Sequence, residues 1–215
     1  MNHIYLISGL GADKRAFQRL KFEGFDITCL DWIKPVKNES LEDYCVRLVD
    51  QIKHFRPILI GLSFGGVVAI EIAKIIEVEK IILISSVETK NQLPLYLRIV
   101  GILGLCKLMP ISRLKTPGAL SEWFFGVTCE QEKKMLNEIL ADTNPDFLLW
   151  AFAKIPTWQN KRVHPNTFHI HGEEDRIFPI KNIKPVIPIQ GGSHFMILNR
   201  AEEISRKVNE ILMLS

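Results

Sequence analysis

The sequence predicts an α/β protein: a six-stranded, mostly parallel sheet flanked by helices, with an inserted helical cap. Three observations predict it. Short apolar runs alternate with helical patterns along most of the chain, the arrangement that builds parallel sheets with both faces covered. Between Glu88 and Arg162 the alternation breaks, in a stretch too long for a single crossover. The turn Gly61-Leu62-Ser63-Phe64-Gly65-Gly66 joins an apolar strand pattern directly to an apolar helix pattern.

Taken in order, His3 to Ser8, Asp26 to Leu30, Pro57 to Leu62, Lys80 to Ser85, Thr167 to His171 and Pro185 to Ile189 read as strands, because each is a short apolar run. Lys14 to Leu20, Leu41 to His54, Phe64 to Ile76 and Ala201 to Leu212 read as crossover helices. In the last of these, Ile204, Val208, Ile211 and Leu212 recur at helical spacing. Residues 1–87 and 163–215 therefore form the expected core, and residues 88–162 the cap. Within the cap, Pro94, Pro110, Pro117, Gly126, Pro145 and Pro156 separate the helix-like pieces. Its large apolar residues, Trp123, Phe124, Phe147 and Trp150 among them, are candidates for an apolar substrate pocket; ordinary helix packing is the competing reading of each.

At 215 residues, 47% of them hydrophobic, the chain can bury one substantial core. A formal charge of +3 with no cluster of five or six basic residues argues against a nucleic-acid partner. Cys29, Cys45, Cys106 and Cys129 lack CxxC spacing and read as free thiols in a reducing compartment; with no visible export signal, the expected location is cytoplasmic. The stretch Leu93 to Met109 carries Arg98 and Lys107 and falls short of a membrane span, leaving contact with a membrane surface as a lesser alternative.

Ser63 stands where the chemistry is expected. A serine at a sharp strand-to-helix turn takes a strained backbone, and the crossing chain leaves no room for Cβ atoms at Gly61 and Gly65. Such a turn lifts the hydroxyl off the sheet and aims the Phe64 N–H, at the positive end of the following helix, toward a developing oxyanion. A serine hydroxyl needs an imidazole base and a carboxylate to orient it. Asp175, in the acidic loop beyond the strand ending His171-Gly172, is the candidate carboxylate. Loop context favours it over Glu173, Glu174 and Glu88. His194, in Gly191-Gly192-Ser193-His194-Phe195 after the last strand, is the candidate base, and parallel strand ends bring all three to one edge. His169 and His171 sit on or at the end of a strand, where structural or hydrogen-bonded histidines are commoner. No histidine has a partner set at zinc-ligand spacing, so no metal is expected.

Gly61 to Gly66, Gly172 to Pro179 and Gly192-Ser193-His194-Phe195 follow one another in the order nucleophile, acid, histidine. In this the chain resembles the α/β-hydrolase superfamily, over essentially its whole length, and its cap placement is similar to that of lidded esterases, peptidases and carbon-carbon bond hydrolases. The resemblance implies that Leu10 N–H joins Phe64 N–H as an oxyanion donor, since Ser8-Gly9-Leu10-Gly11 occupies the place of the family's His-Gly-x turn, with Ser8 replacing the histidine. It also implies that the fold's first two strands are absent, which leaves an edge near Asp26 to Leu30 that should be short or covered. The expected function is a cofactor-free serine hydrolase of a small, partly apolar acyl substrate, an ester or thioester, working through an acyl-enzyme on Ser63. The alternatives are a non-turnover ligand-binding protein on the same scaffold, an acyltransferase, a carbon-carbon bond hydrolase, or a membrane-associated lipid hydrolase.

Overall fold

A computed structural model describes residues 3–10, 12–104 and 118–214. Its six strands, β1 (His3–Ile7), β2 (Asp26–Cys29), β3 (Ile58–Leu62), β4 (Lys80–Ile84), β5 (Thr167–Gly172) and β6 (Ile187–Ile189), form one sheet in the order β2-β1-β3-β4-β5-β6. Every neighbouring pair is parallel, so the sheet expected to be mostly parallel is parallel throughout the described residues.

β3 and β4 are buried at every position, as strands covered on both faces must be. Alternate residues serve opposite layers. Tyr5, Ile7, Leu59, Ile81 and Leu83 face a core built with α1 (Leu41–Leu48) and α2 (Phe64–Ile72), while Ile4, Leu6, Ile58, Ile60, Ile82 and Ile84 face a second core that includes residues of the C-terminal segment. Between β4 and β5 the described residues contain α3 (Leu95–Ile102), α4 (Ala119–Phe125), α5 (Glu130–Asp142) and α6 (Pro145–Thr157). Among the described residues Phe147, Ala151 and Ile155 of α6 join the first core, and Leu136 and Leu140 of α5 join the second. After β6 come α7 (Met196–Asn199) and α8 (Ala201–Leu212), the latter burying Ile204, Val208, Ile211 and Leu212.

The crossover helix expected over Lys14 to Leu20 is instead a single 3-10 turn, Lys14–Phe17, capped by the Asp13 side chain, which accepts from Arg15 N. Within the expected range Gln18 N and Leu20 N donate three residues back, to Arg15 O and Phe17 O, and just beyond it Lys21 N donates to Ser205 Oγ at 3.0 Å and Glu23 N to Asn209 Oδ1 at 3.1 Å, which ties the chain to α8. The expected helix over Leu41 to His54 stops at Leu48 and passes into a 3-10 turn, Val49–Gln51. The edge strand β2 is short, as the exposed edge required.

Among the described residues no helix is long and apolar enough to cross a membrane. Residues 105–109 of the Leu93 to Met109 stretch, Pro110, Pro117 and Gly11 lie outside the described residues. So does Cys106; Cys29, Cys45 and Cys129 are free thiols.

The chain runs from β1 outward to β2 and then returns to β3 on the other side of β1. The order of connection reverses between β1 and β3. In open α/β sheets that reversal opens a crevice at the carboxyl ends of the two strands, and Leu10 and Ser63 stand there.

Candidate active site

β3 delivers its chain directly into Ser63, whose backbone sits at φ 51° and ψ −117°. A non-glycine residue there is strained and persists only if its surroundings hold it. They do so on both sides. Ser63 N donates to Ile84 O at 2.9 Å, and the Ser86 hydroxyl donates to Ser63 O at 2.6 Å. The glycines give the turn its tightness: a Cβ at Gly65 would overlap Ile7 O and Ser8 O, and one at Gly61 would overlap Gly66. As the first residue of α2, Phe64 presents an N–H for which the helix supplies no acceptor.

The acidic loop and the histidine loop are stitched together. Glu174 N donates to Gly192 O at 2.9 Å and Glu173 N to Ile189 O at 3.2 Å. Glu173 and Glu174 point to solvent while Asp175 is buried, so among the rival carboxylates Asp175 reaches the imidazole. His194 Nδ1 donates to Asp175 Oδ2 at 2.8 Å, and Ser63 Oγ donates to His194 Nε2 at 2.9 Å. Glu88 is buried elsewhere, with Asn160 donating to its carbonyl. Asp175 Oδ1 accepts from Ile177 N at 2.9 Å and Phe178 N at 2.8 Å. Burial would raise the Asp175 pKa, but neighbouring His194 and the hydrogen bonds from His171 and His194 hold it well below the usual carboxylate range. The rings of Phe178 and Phe125 meet the His194 imidazole edge-on at 5.5 and 5.6 Å.

Around Leu10 the chain is braced from behind. Ala12 N donates to Gly9 O at 3.0 Å, while the Ser8 hydroxyl and the Trp32 indole N–H both donate to Ala12 O, at 2.7 and 3.1 Å. Ser8 thus holds the turn rather than facing outward. Gly9 lies against Ser63: a Cβ on it would stand 3.4 Å from Ser63 Cβ.

The four expected pocket residues fall into two groups. Phe147 is buried among Trp32, Tyr44 and Phe64, and Trp150 packs at a tilt against Tyr44 while its indole N–H donates to Glu39 O. Trp123 is exposed with the Arg176 guanidinium 4.5 Å above its ring, and Phe124 packs on Tyr96. The helical segment is also tied to both loops that carry the acid and the base. Arg176 Nη1 donates to Trp123 O at 2.7 Å, Tyr96 OH to Ile177 O at 3.0 Å, and Phe195 N to Phe125 O at 3.0 Å. The role of Ser86 was not read from the sequence, whereas His171 is the buried, hydrogen-bonded histidine expected at the end of its strand. Ser86 supports the nucleophile turn, and His171 lies 3.2 Å from Asp175 Oδ2, the same oxygen that accepts from His194. The only sequence signal was spacing: His169 and His171, two apart on β5, share one face of the sheet.

No group of three or more His, Cys, Asp or Glu side chains among the described residues is arranged to hold a metal ion.

A parallel sheet with a serine at its strained strand-to-helix turn, and an aspartate and histidine on later strand ends, defines the hydrolase class of open α/β folds. The model of the alpha/beta hydrolase family matches residues 4–207, and the chain belongs to that family, an enzyme of the hydrolase type. Solved structures with a similar fold include a putative lipase from Acinetobacter baumannii AYE, at a TM-score of 0.73 and 15% identity over 99% of this chain and 83% of that one. An esterase from Exiguobacterium antarcticum matches at a TM-score of 0.72 and 18% identity over 98% of this chain and 92% of that one. A thermophilic esterase from Thermogutta terrifontis matches at 0.68 and 18% over 99% and 89%. At these identities the likeness concerns the fold. No curated protein sequence matches the chain significantly.

Proposed function

We propose that this protein is a serine hydrolase that cleaves a carboxylic ester or thioester of a small, partly apolar substrate. The observation that carries the reading is the unbroken hydrogen-bonded line from Ser63 Oγ through His194 to Asp175 Oδ2. His194 Nε2 takes the Ser63 proton as Oγ attacks the acyl carbonyl; the Leu10 and Phe64 N–H groups receive the oxyanion, and Asp175 stabilises the imidazolium. When the intermediate collapses, the carbon-oxygen or carbon-sulfur bond to the leaving group breaks, and His194 returns the proton to that group. Water then gives a proton to His194 and its oxygen to the acyl carbon, and the acid leaves as Ser63 regains its hydrogen.

In this reading residues 88–162 act as a cap on the core formed by residues 1–87 and 163–215. Phe125, partly exposed beside His194, supports an apolar acyl group. Ser63→Ala abolishes labelling by a fluorophosphonate probe and turnover of p-nitrophenyl esters from C2 to C12. Labelling that survives the substitution would refute Ser63 as the nucleophile. Acyl transfer to an added alcohol or thiol in preference to water would replace hydrolysis with the acyltransferase reading.

A further inference from the structure

Asp175 has a second imidazole. His171 Nε2 stands 3.2 Å from Asp175 Oδ2, the oxygen that also accepts from His194 Nδ1 at 2.8 Å, and 2.7 Å from Phe178 O. Both neighbours of His171 Nε2 are acceptors, so this nitrogen carries a proton; it donates to Phe178 O and lies against the Asp175 carboxylate. Phe178 closes a bracket around the carboxylate, with its N–H on Oδ1 and its carbonyl on the His171 ring. With Ile177 N on Oδ1 as well, three hydrogen bonds reach the carboxylate, and the His171 N–H stands beside Oδ2 as a fourth polar neighbour. On its far side His171 Nδ1 lies 3.3 Å from His169 Nε2, and His171 is fully buried, with no solvent to compete for these positions.

The geometry points to His171 as a positioning residue that shares Asp175 Oδ2 with His194 and thereby sets how strongly the carboxylate holds a proton on the base. The inference rests on the proposed triad. A second donor on Oδ2 draws part of the carboxylate's charge away from His194, so the imidazolium gains less from Asp175 and His194 stays available as a base to lower pH. The other titratable or charged groups packed about the cluster are His169 from β5, Tyr96 from α3, whose hydroxyl donates to Ile177 O, and Arg176, whose guanidinium turns to Trp123 O. None of these donates to the Asp175 carboxylate, so His171 is the adjustable contact.

The test is the pH profile of kcat/KM for p-nitrophenyl ester hydrolysis, normalised to active sites titrated with fluorophosphonate. In His171→Phe, which removes the donor and keeps the ring, the acid limb moves up by roughly half to one pH unit with KM nearly unchanged. His171→Gln places an amide N–H at the end of a chain of equal length and returns the limb toward its wild-type position. A limb that stays put in His171→Phe, or a loss that is uniform across pH, would overturn the proposal, because a purely structural role lowers the active fraction without moving the limb. Nitrogen-15 NMR of the wild-type protein provides a check that does not need the variant to fold: His171 Nε2 bears a proton, and an unprotonated Nε2 would overturn the inference. If the wild-type protein neither labels nor turns over esters, the hydrolase reading fails separately. The NMR titration of His194 in wild type and His171→Phe then still decides this inference, which requires the His194 titration to move up in the variant.

Discussion

Acid should weaken this fold at a particular buried ring. His169 is 5% exposed, and burial, followed by the proximity of His171, pushes its pKa down to about 3 from an ordinary 6.5. The folded protein refuses a proton that the unfolded chain accepts throughout that interval. The stabilising contribution is therefore complete above pH 6.5 and drains away as the pH falls toward 3, at about 1.4 kcal/mol per pH unit. Between pH 7 and pH 5 the loss amounts to about 2 kcal/mol, a large share of the ~5–15 kcal/mol that holds a typical domain together. Asp175, with its lowered pKa, loses its contribution in the same direction but only below about pH 4, outside the window. Urea unfolding at pH 7 and pH 5 measures the effect in wild type and in His169→Gln, which keeps a donor toward His171 and cannot titrate. Wild type loses about 2 kcal/mol more than the variant over this interval. The two proteins share His3 and His164, whose lowered pKa values cancel in the comparison. Equal losses would refute the assignment of acid sensitivity to His169.

Two substitutions test the nucleophile turn and the acid. Gly65→Ala forces a methyl group into Ile7 O and Ser8 O, neither of which can retreat without breaking the sheet, and destabilises the protein by about 3 kcal/mol in thermal or urea unfolding; an unchanged midpoint would contradict the close approach. Asp175→Asn leaves His194 without a carboxylate on Nδ1 and favours the wrong tautomer, lowering kcat for p-nitrophenyl esters about ten-thousand-fold with KM nearly unchanged; a loss under tenfold would remove Asp175 from the mechanism.

Much of this was legible because buried strands and strained turns leave little freedom of residue choice. β3 and β4 could be read from continuous apolar runs, since both of their faces are covered. Ser63 could be read because only glycine fits where α2 passes the end of β1. Lys14 to Leu20 misled because its helical pattern is real but short, and its donors Gln18 N and Leu20 N close tight turns three residues back instead of α-helical ones. His169 and His171 could be placed on one face of β5 by alternation, yet alternation says nothing about which distant group that face meets. Contact with Asp175 depends on how the loop beyond Gly172 folds back, and no local pattern encodes that. The aromatic residues of residues 88–162 were ambiguous for a similar reason: Phe147 and Trp123 look alike in sequence, and one is buried against Phe64 while the other lies open under Arg176.

The bonds from Arg176 to Trp123, from Tyr96 to Ile177 and from Phe195 to Phe125 put α3, α4 and the loops that carry Asp175 and His194 on a common leash. Any displacement of α3 or α4 that widens a path to Ser63 tugs on the chain beside Asp175 and on the residue next to His194. A substitution that loosens α3 or α4 is therefore expected to disturb the 2.9 Å contact between Ser63 and His194 as well, although it touches neither residue.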